Sequence, residues 1–251
     1  MARDNDDRLA SLSLLAAQID FTEAGELQLF ITEDQLDFLN DMQTQGYLDS
    51  AAGAFQMLRS NDLVWAHAIH DYLLGEHDAP NDLMAWNADG TRLPARMHIE
   101  YLRRLFLDND LAEGRFRVAG RPVALDDMKL PMFVVGTERD HIAPWQSVFK
   151  LHLLNDGALT FVLTSGGHNA GIVSEPGHPH RHFRIRVRDA GARTLGPDEW
   201  EHGTGPRDGS WWLEWDAWLD RHSGRRVDPP PIGAPGFAPL DDAPGDYVRE
   251  G

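Results

Sequence analysis

The sequence predicts an α/β fold in which a small parallel sheet is interrupted by a helical insertion, and three observations carry that expectation. Two short runs rich in β-branched and aromatic residues, Met132 to Thr137 and Leu159 to Thr164, each stop abruptly at polar residues, as buried parallel strands do. Between them Pro144 suits the first position of a helix. Val148, Phe149, Leu151 and Leu154 then supply an apolar stripe, and Asn155, Asp156 and Gly157 stop it. A third run, Ser11 to Ala17, reads SLSLLAA and is a further candidate for a buried strand.

The three runs fix a division of the chain. Residues 1–20 hold the first core strand and its charged approach, and a central strand so early would lack neighbours on one side, leaving an apolar edge. Residues 21–128 contain no convincing parallel strand but several helices. Thr32 and Gln35 form a capping-box pattern ahead of Leu36, Leu39 and Met42, with Gly46 as the stop. Ala51 to Leu58 and Leu63 to Leu74 are further apolar helical stretches, and Met97, Tyr101 and Leu105, joined by Leu102 and Phe106, share a face at i, i+4 spacing. An insertion of this kind between sheet strands is expected to cap a site, with a separate helical domain as the alternative.

Residues 129–224 return to core strands and end in a helix that Ser210 is placed to cap. That helix carries Trp211, Trp212, Trp215, Trp218 and Leu219 and stops at Gly224; its tryptophans suit packing better than a ligand cage. Residues 225–251 are rich in Pro and Gly and are expected to lack regular structure.

Composition bounds the function. The 251 residues are 42% hydrophobic and include 8 Trp, enough for a sizeable core. A formal charge of −17 argues against a nucleic-acid partner and against electrostatic binding to anionic membranes. No run approaches the roughly 18 apolar residues of a membrane-spanning helix, and MARDNDDR is charged where a signal peptide needs an apolar core, so the protein is expected in the cytoplasm. The absence of cysteine excludes disulfides, thiolate metal sites and a cysteine nucleophile within these residues.

Candidate metal and anion sites are weak. His67, His70, His77 and His98 match no compact ligand spacing. His178, His180 and His182 are local, but Arg181, Arg184, Arg186 and Arg188 interleave with them, which suits an extended segment with one polar face and opposes a cation. Arg92, near Trp86, Asn87 and Asp89, could hold an anion bidentately, although a solvated ion pair is the expected outcome.

The stronger pattern is an acid after one strand and a histidine after the next. Asp140 follows the first core run and His168 the second, the chain order in which acid and base occur in α/β-hydrolase chemistry. A carboxylate there holds the imidazole in one tautomer, and Gly166 and Gly167 supply a small-residue loop for its approach to a substrate. The alternative is turn chemistry, with Asp140 capping the helix at Pro144 and His168 capping a strand end.

DHIAPW followed by SGGHNAG resembles the carboxyl-terminal catalytic part of class I-type polyhydroxyalkanoate synthases. QIDFTEAGEL, RSNDLVW, GTERDHIAPW, TSGGHNAGIVSEPG and DGSWW extend the resemblance over essentially the whole chain. It implies a partial α/β-hydrolase fold, namely the carboxyl-terminal strands of the parallel sheet, with a helical cap insertion. It also implies an acyltransferase that joins (R)-3-hydroxyacyl units from coenzyme A thioesters into polyester, with Asp140 and His168 as catalytic acid and base and with no redox or metal cofactor.

The family nucleophile lies in a Gly-x-Cys-x-Gly elbow, and neither that box nor a Gly-x-Ser-x-Gly substitute occurs here. MARDNDDRLASLSLLAAQ resembles the family from the end of the nucleophile helix onward, so the chain is expected to be inactive alone. Two other outcomes follow from the same residues. One is a partner-dependent half-enzyme that forms a homo-oligomer or pairs with a full-length synthase, with the polymer granule surface as a location. The other is a generic ester-hydrolase fragment.

Overall fold

A computed structural model describes residues 2–4, 6–42, 47–48, 93–240 and 242. The chain divides into two compact units, Met1–Leu48 with Leu93–Ser223, and Asp49–Arg92 with Gly224–Gly251.

The first unit is built on a five-stranded sheet of β1 (Leu12–Leu15), β2 (Met132–Thr137), β3 (Leu159–Thr164), β4 (His182–Arg188) and β5 (Arg207–Asp208), in that spatial order. β1, β2 and β3 are parallel, with Leu12 opposite Met132 and Met132 opposite Leu159. β4 returns antiparallel to β3, placing Arg188 opposite Leu159 and Phe183 opposite Thr164, and β5 pairs antiparallel to β4. The architecture is therefore α/β, as the sequence predicts. β2 and β3 have the expected bounds, and all their residues are buried, which is why both read as continuous apolar runs. The run expected over Ser11 to Ala17 is shorter as a strand, because Ala16 takes φ 48 and turns the chain off the sheet. Among the described residues β1 pairs on one side only.

Residue parity sorts the strands into two core layers. Met132, Val134, Phe161 and Leu163 face Trp145, Val148, Phe149, Leu151 and Trp200, while Phe133, Val135, Val162 and Phe183 face Trp211 and Trp218.

The helices follow in chain order. α1 (Glu33–Met42) opens on the predicted capping box: Thr32 N–H donates to Gln35 Oε1 at 3.1 Å and Gln35 N–H to Thr32 Oγ1 at 3.3 Å. Gly46, Ala51 to Leu58, Leu63 to Leu74, His67, His70, His77 and the stretch from Trp86 to Arg92 lie outside the described residues. α2 (Ala95–Tyr101) runs on into a π-helical turn, Leu102–Leu107. Its buried stripe is Ala95, His98 and Phe106 with Leu102 and Leu105 packed alongside, so Met97 and Tyr101 lie on its flank, about half exposed, rather than on the inward face expected of them.

The single helix expected from Pro144 onward is two, α3 (Trp145–Phe149) and α4 (Leu151–Leu154). Pro144 precedes the first because its ψ of 131 is extended, and Lys150 N–H divides itself between the Gln146 and Ser147 carbonyls at the junction. α5 (His168–Ile172) and α6 (Pro197–His202) are short. α7 (Trp212–His222) begins two residues after Ser210, whose Oγ nonetheless accepts the Trp212 N–H at 3.1 Å, and it ends before Gly224. In the second unit the described residues are irregular apart from an antiparallel bridge between Ala234 and Phe237. Among the described residues no helix is long and apolar enough to cross a membrane.

Candidate active site

β2 and β3 end side by side, Thr137 opposite Thr164, so whatever follows each strand emerges at the same edge of the sheet. After β2 the chain turns through Glu138 and Arg139 to Asp140. After β3 it passes Ser165, Gly166 and Gly167 and enters α5 at His168. Crosslinks hold the two loops in register: Glu138 N–H donates to Thr164 O at 2.9 Å and Arg139 N–H to Gly166 O at 3.0 Å. Gly166 has φ 111, a region that a side chain rarely allows, and this lets the loop turn His168 toward Asp140.

The two predicted residues meet. His168 Nδ1 lies 2.8 Å from Asp140 Oδ2, with the Asp140 side chain fully buried and the His168 side chain 31% exposed. Asp140 has every lone pair committed. Its Oδ2 also accepts the Thr137 hydroxyl at 3.1 Å, and its Oδ1 accepts the Ile142 and Ala143 N–H groups at 2.9 and 2.8 Å. The helix cap offered as an alternative for Asp140 is not formed, since α3 starts after Pro144 without a side-chain cap; the carboxylate instead closes its own loop while it engages the imidazole.

Burial is the largest single influence on the Asp140 carboxyl and would raise its pKa. Hydrogen bonds from His168 and the Ala143 and Ile142 amides, with the His168 charge, outweigh it and hold the group below its ordinary value of 3.8. An ionised, acceptor-only carboxylate assigns the proton to Nδ1, which leaves Nε2 as the free lone pair of a neutral imidazole. Such a pair can take a proton from a thiol, hydroxyl or water and carry the resulting imidazolium.

The other candidates do not converge on this place. His182 Nε2 sits 3.2 Å from both Glu138 carboxylate oxygens, and His178 Nδ1 lies 3.0 Å from the Pro179 carbonyl. Among the described residues no group of three metal-ligating side chains occurs. His98 is buried, and burial lowers its pKa. Ser165 is buried, and its Oγ accepts the His182 N–H at 3.2 Å. Thr137 was missed by sequence reasoning; its place three residues before Asp140 is the only signal, and strand ends commonly carry threonine.

Comparison with known proteins finds relatives along nearly the whole chain. No family model matches the chain. Over 99% of its length it is 39% identical to the poly(3-hydroxyalkanoate) polymerase subunit PhaC of Rhizobium meliloti. It is 39% identical over 96% of its length to the poly(3-hydroxyalkanoate) polymerase of Methylorubrum extorquens, and 34% over 96% to the polymerase subunit PhaC of Cupriavidus necator. Over nearly all of its length the chain is similar to part of these poly(3-hydroxyalkanoate) polymerases. It spans only 40%, 40% and 42% of those three relatives.

Other stretches that resemble the polymerase family gather near the pair. In QIDFTEAGEL, Gly25 lies so close to the acid's loop that a Cβ there would stand 2.6 Å from the His141 carbonyl oxygen. Asn109 ties the start of the same stretch down, accepting the Phe21 N–H at 2.9 Å and donating to Asp20 Oδ1 at 3.1 Å. RSNDLVW lies outside the described residues.

Proposed function

We propose that this chain carries the acid and base of a polyester-forming acyltransferase of α/β-hydrolase type, with the nucleophile supplied from outside these 251 residues. The observation that carries the proposal is the 2.8 Å contact between His168 Nδ1 and the buried, fully bonded Asp140. The substrate is an (R)-3-hydroxyacyl-coenzyme A thioester, and the products are a lengthened polyester and free coenzyme A. Residues 21–128 act as a cap that admits the acyl arm.

In this mechanism His168 Nε2 takes the proton of a thiol as its sulfur attacks the thioester carbonyl, and returns it to the departing coenzyme A thiolate. In the second half-reaction the same nitrogen takes the hydroxyl proton of an incoming 3-hydroxyacyl unit as that oxygen attacks the enzyme-bound acyl group. The proton then passes to the released sulfur. Asp140 keeps Nδ1 protonated throughout and offsets the imidazolium charge.

The chain alone is expected to be inactive, because it has no cysteine and the Ser165 hydroxyl is already engaged. Partner dependence is the second outcome, favoured by β1, which among the described residues is paired on one side only and would accept a further parallel strand.

The test is coenzyme A release from 3-hydroxybutyryl-coenzyme A, measured with the chain alone and with a polymerase-family segment bearing a Gly-x-Cys-x-Gly box joined to it or added in trans. Activity in the completed protein, lost in His168→Gln and Asp140→Asn, is expected. Substantial release by the isolated chain, or release insensitive to both substitutions, overturns the proposal. Hydrolysis of simple aryl esters by the isolated chain would instead support the ester-hydrolase alternative.

A further inference from the structure

We propose that Ser210, Trp211 and Trp212 are positioning residues that hold the histidine-bearing helix α5 in its seat on Thr137 and so set the distance between His168 and Asp140. The inference rests on the acid–base role proposed above and deepens it.

α5 has five residues, too few to be stable by itself. Its last internal bonds run from Gly171 N–H to Gly167 O at 2.8 Å and from Val173 N–H to Asn169 O at 2.9 Å, which leaves the carbonyls at its carboxyl end without helical donors. Those carbonyls are taken by side chains from a distant part of the sequence. The Trp211 indole N–H donates to Gly171 O at 3.0 Å and the Trp212 indole N–H to Ile172 O at 2.9 Å. The Ser210 hydroxyl donates to Ser174 O, just beyond the helix, while accepting the Trp212 N–H at 3.1 Å. Three consecutive residues thus satisfy three nearby carbonyls.

The donors are themselves anchored. Trp211 is 1% exposed and stacks on Phe133 of β2 with ring centroids 6.3 Å apart. From the same helix that Ser210 and Trp211 lead into, the Trp215 indole is directed elsewhere, reaching Ser13 Oγ on β1 at 2.9 Å.

α5 is also seated on Thr137. A Cβ built at Gly171 would stand 2.6 Å from Thr137 Cγ2, so a residue without a side chain is required there. The Thr137 hydroxyl is the one that donates to Asp140 Oδ2. One threonine therefore touches the acid with its oxygen and the base's helix with its methyl, and the indoles hold that helix in place. Loosening the clamp lets α5 move as a body, and a displacement of about 1 Å is enough to spoil an alignment that proton transfer needs.

The experiment is NMR of the full chain with ¹⁵N-labelled histidine, reading the tautomer of His168 from its ring nitrogen shifts and the exchange rate of its Nδ1 proton. Asp140→Asn serves as the reference for a broken pair. Trp212→Phe keeps an aromatic ring and removes the donor, and Ser210→Ala is the second variant should the first not fold. Either is expected to speed exchange of the Nδ1 proton by at least about tenfold and to shift the tautomer toward that seen in Asp140→Asn. Trp215→Phe, which removes a donor from the same helix directed elsewhere, is expected to leave His168 unchanged.

If Asp140→Asn alters His168 while Trp212→Phe and Ser210→Ala do not, the clamp is wrong and the acid–base pair stands. If Trp215→Phe acts as strongly as Trp212→Phe, general loosening of α7 is the cause and the clamp is equally overturned. If Asp140→Asn has no effect on His168, the pair itself fails and the inference with it.

Discussion

The two ends of β3 hold the same kinds of residue and opposite chemistry. Beyond its carboxyl end His168 meets a carboxylate at 2.8 Å and keeps part of its ring in solvent. At its amino end His152 is 4% exposed, stacks on Phe149 with centroids 4.1 Å apart and donates from Nδ1 to the Phe149 carbonyl at 3.0 Å. The charge beside His152 is Arg188, which is itself buried and is held mainly by carbonyls: Nη1 reaches His152 O at 2.6 Å and the Thr194 hydroxyl at 3.4 Å, and Nη2 reaches Asn155 O and Gly157 O at 2.7 Å each. Burial, reinforced by Arg188, drives the His152 pKa down to about 4 against the pull of the Phe149 carbonyl. The lesson is that a histidine near the end of a strand is set up for proton transfer only where a carboxylate has been provided, whereas His152, carried on α4 beside a buried cation, is a neutral packing group.

The largest effect that tests this contrast is expected at Arg188. Replacing it by Met leaves three inward carbonyls without their charged donor, and a loss of about 3 to 5 kcal/mol in urea-unfolding stability is expected. Arg188→Lys should recover only part, because one ammonium cannot span carbonyls that a planar fork reaches together. A cost below about 1 kcal/mol for Arg188→Met would show that the amino end is not organised by this cation.

The next effect is in pH dependence, where the two histidine environments act in separate windows. Because folding lowers the His152 pKa from 6.5 to about 4, the unfolded chain binds more protons throughout that interval. Stability is therefore intact above 6.5, falls as pH drops toward 4, and loses about 3 kcal/mol in all. Asp140 is a depressed carboxyl, so its contribution is present above 3.8 and is lost only as pH falls through its lower folded value. Denaturant titrations from pH 7 to 4 should show a slope that His152→Phe flattens and Asp140→Asn leaves alone. The reverse assignment would invert the comparison.

The sequence reveals one end of β3 far better than the other, and the reason is local against non-local encoding. β2, β3, Asp140 and His168 are legible because burial on both faces writes continuous apolar runs, and because each candidate residue lies in the loop that follows its own strand. The interleaved arginines do predict an extended segment with one polar face, and Arg184, Arg186 and Arg188 share a parity in β4. What cannot be read is that this face lies over the Trp200 layer, with Arg184 bonded to Thr204 O at 2.6 Å and Arg188 enclosed. That depends on β4 turning back along β3 and on α6 covering it, contacts that periodicity does not record. The indole partners of α5 were hidden similarly: four tryptophans suggest packing, but not which carbonyl each N–H reaches.

A smaller effect probes how closely the carboxylate end is built. Gly171→Ala introduces a Cβ 2.6 Å from the Thr137 methyl carbon and 2.9 Å from its Cβ, so α5 or β2 must shift. A loss of about 2 kcal/mol is expected, with faster exchange of the His168 Nδ1 proton as α5 moves off Asp140. Equal substitution at Gly205, which like Gly171 has no positive φ but has open space around it, supplies the control without the clash. Matching effects at both positions would assign the cost to chain conformation in general rather than to the seat on Thr137.

The smallest expected effect separates the acid's anchoring from its charge. Thr137→Val preserves shape inside a fully buried site and removes only the hydroxyl that Asp140 Oδ2 accepts at 3.1 Å, a change of about 1 kcal/mol. The bonds from His168, Ala143 and Ile142 remain, and these are the ones that depress the Asp140 carboxyl. The variant should therefore lower stability nearly uniformly from pH 7 to 4 and leave the acid transition below 3.8 where it was. An acid transition moved to higher pH would mean that Thr137 helps to set the charge of the pair. The contrast between the two ends of β3 would then lie in hydroxyl donors as much as in the sign of the neighbouring ion.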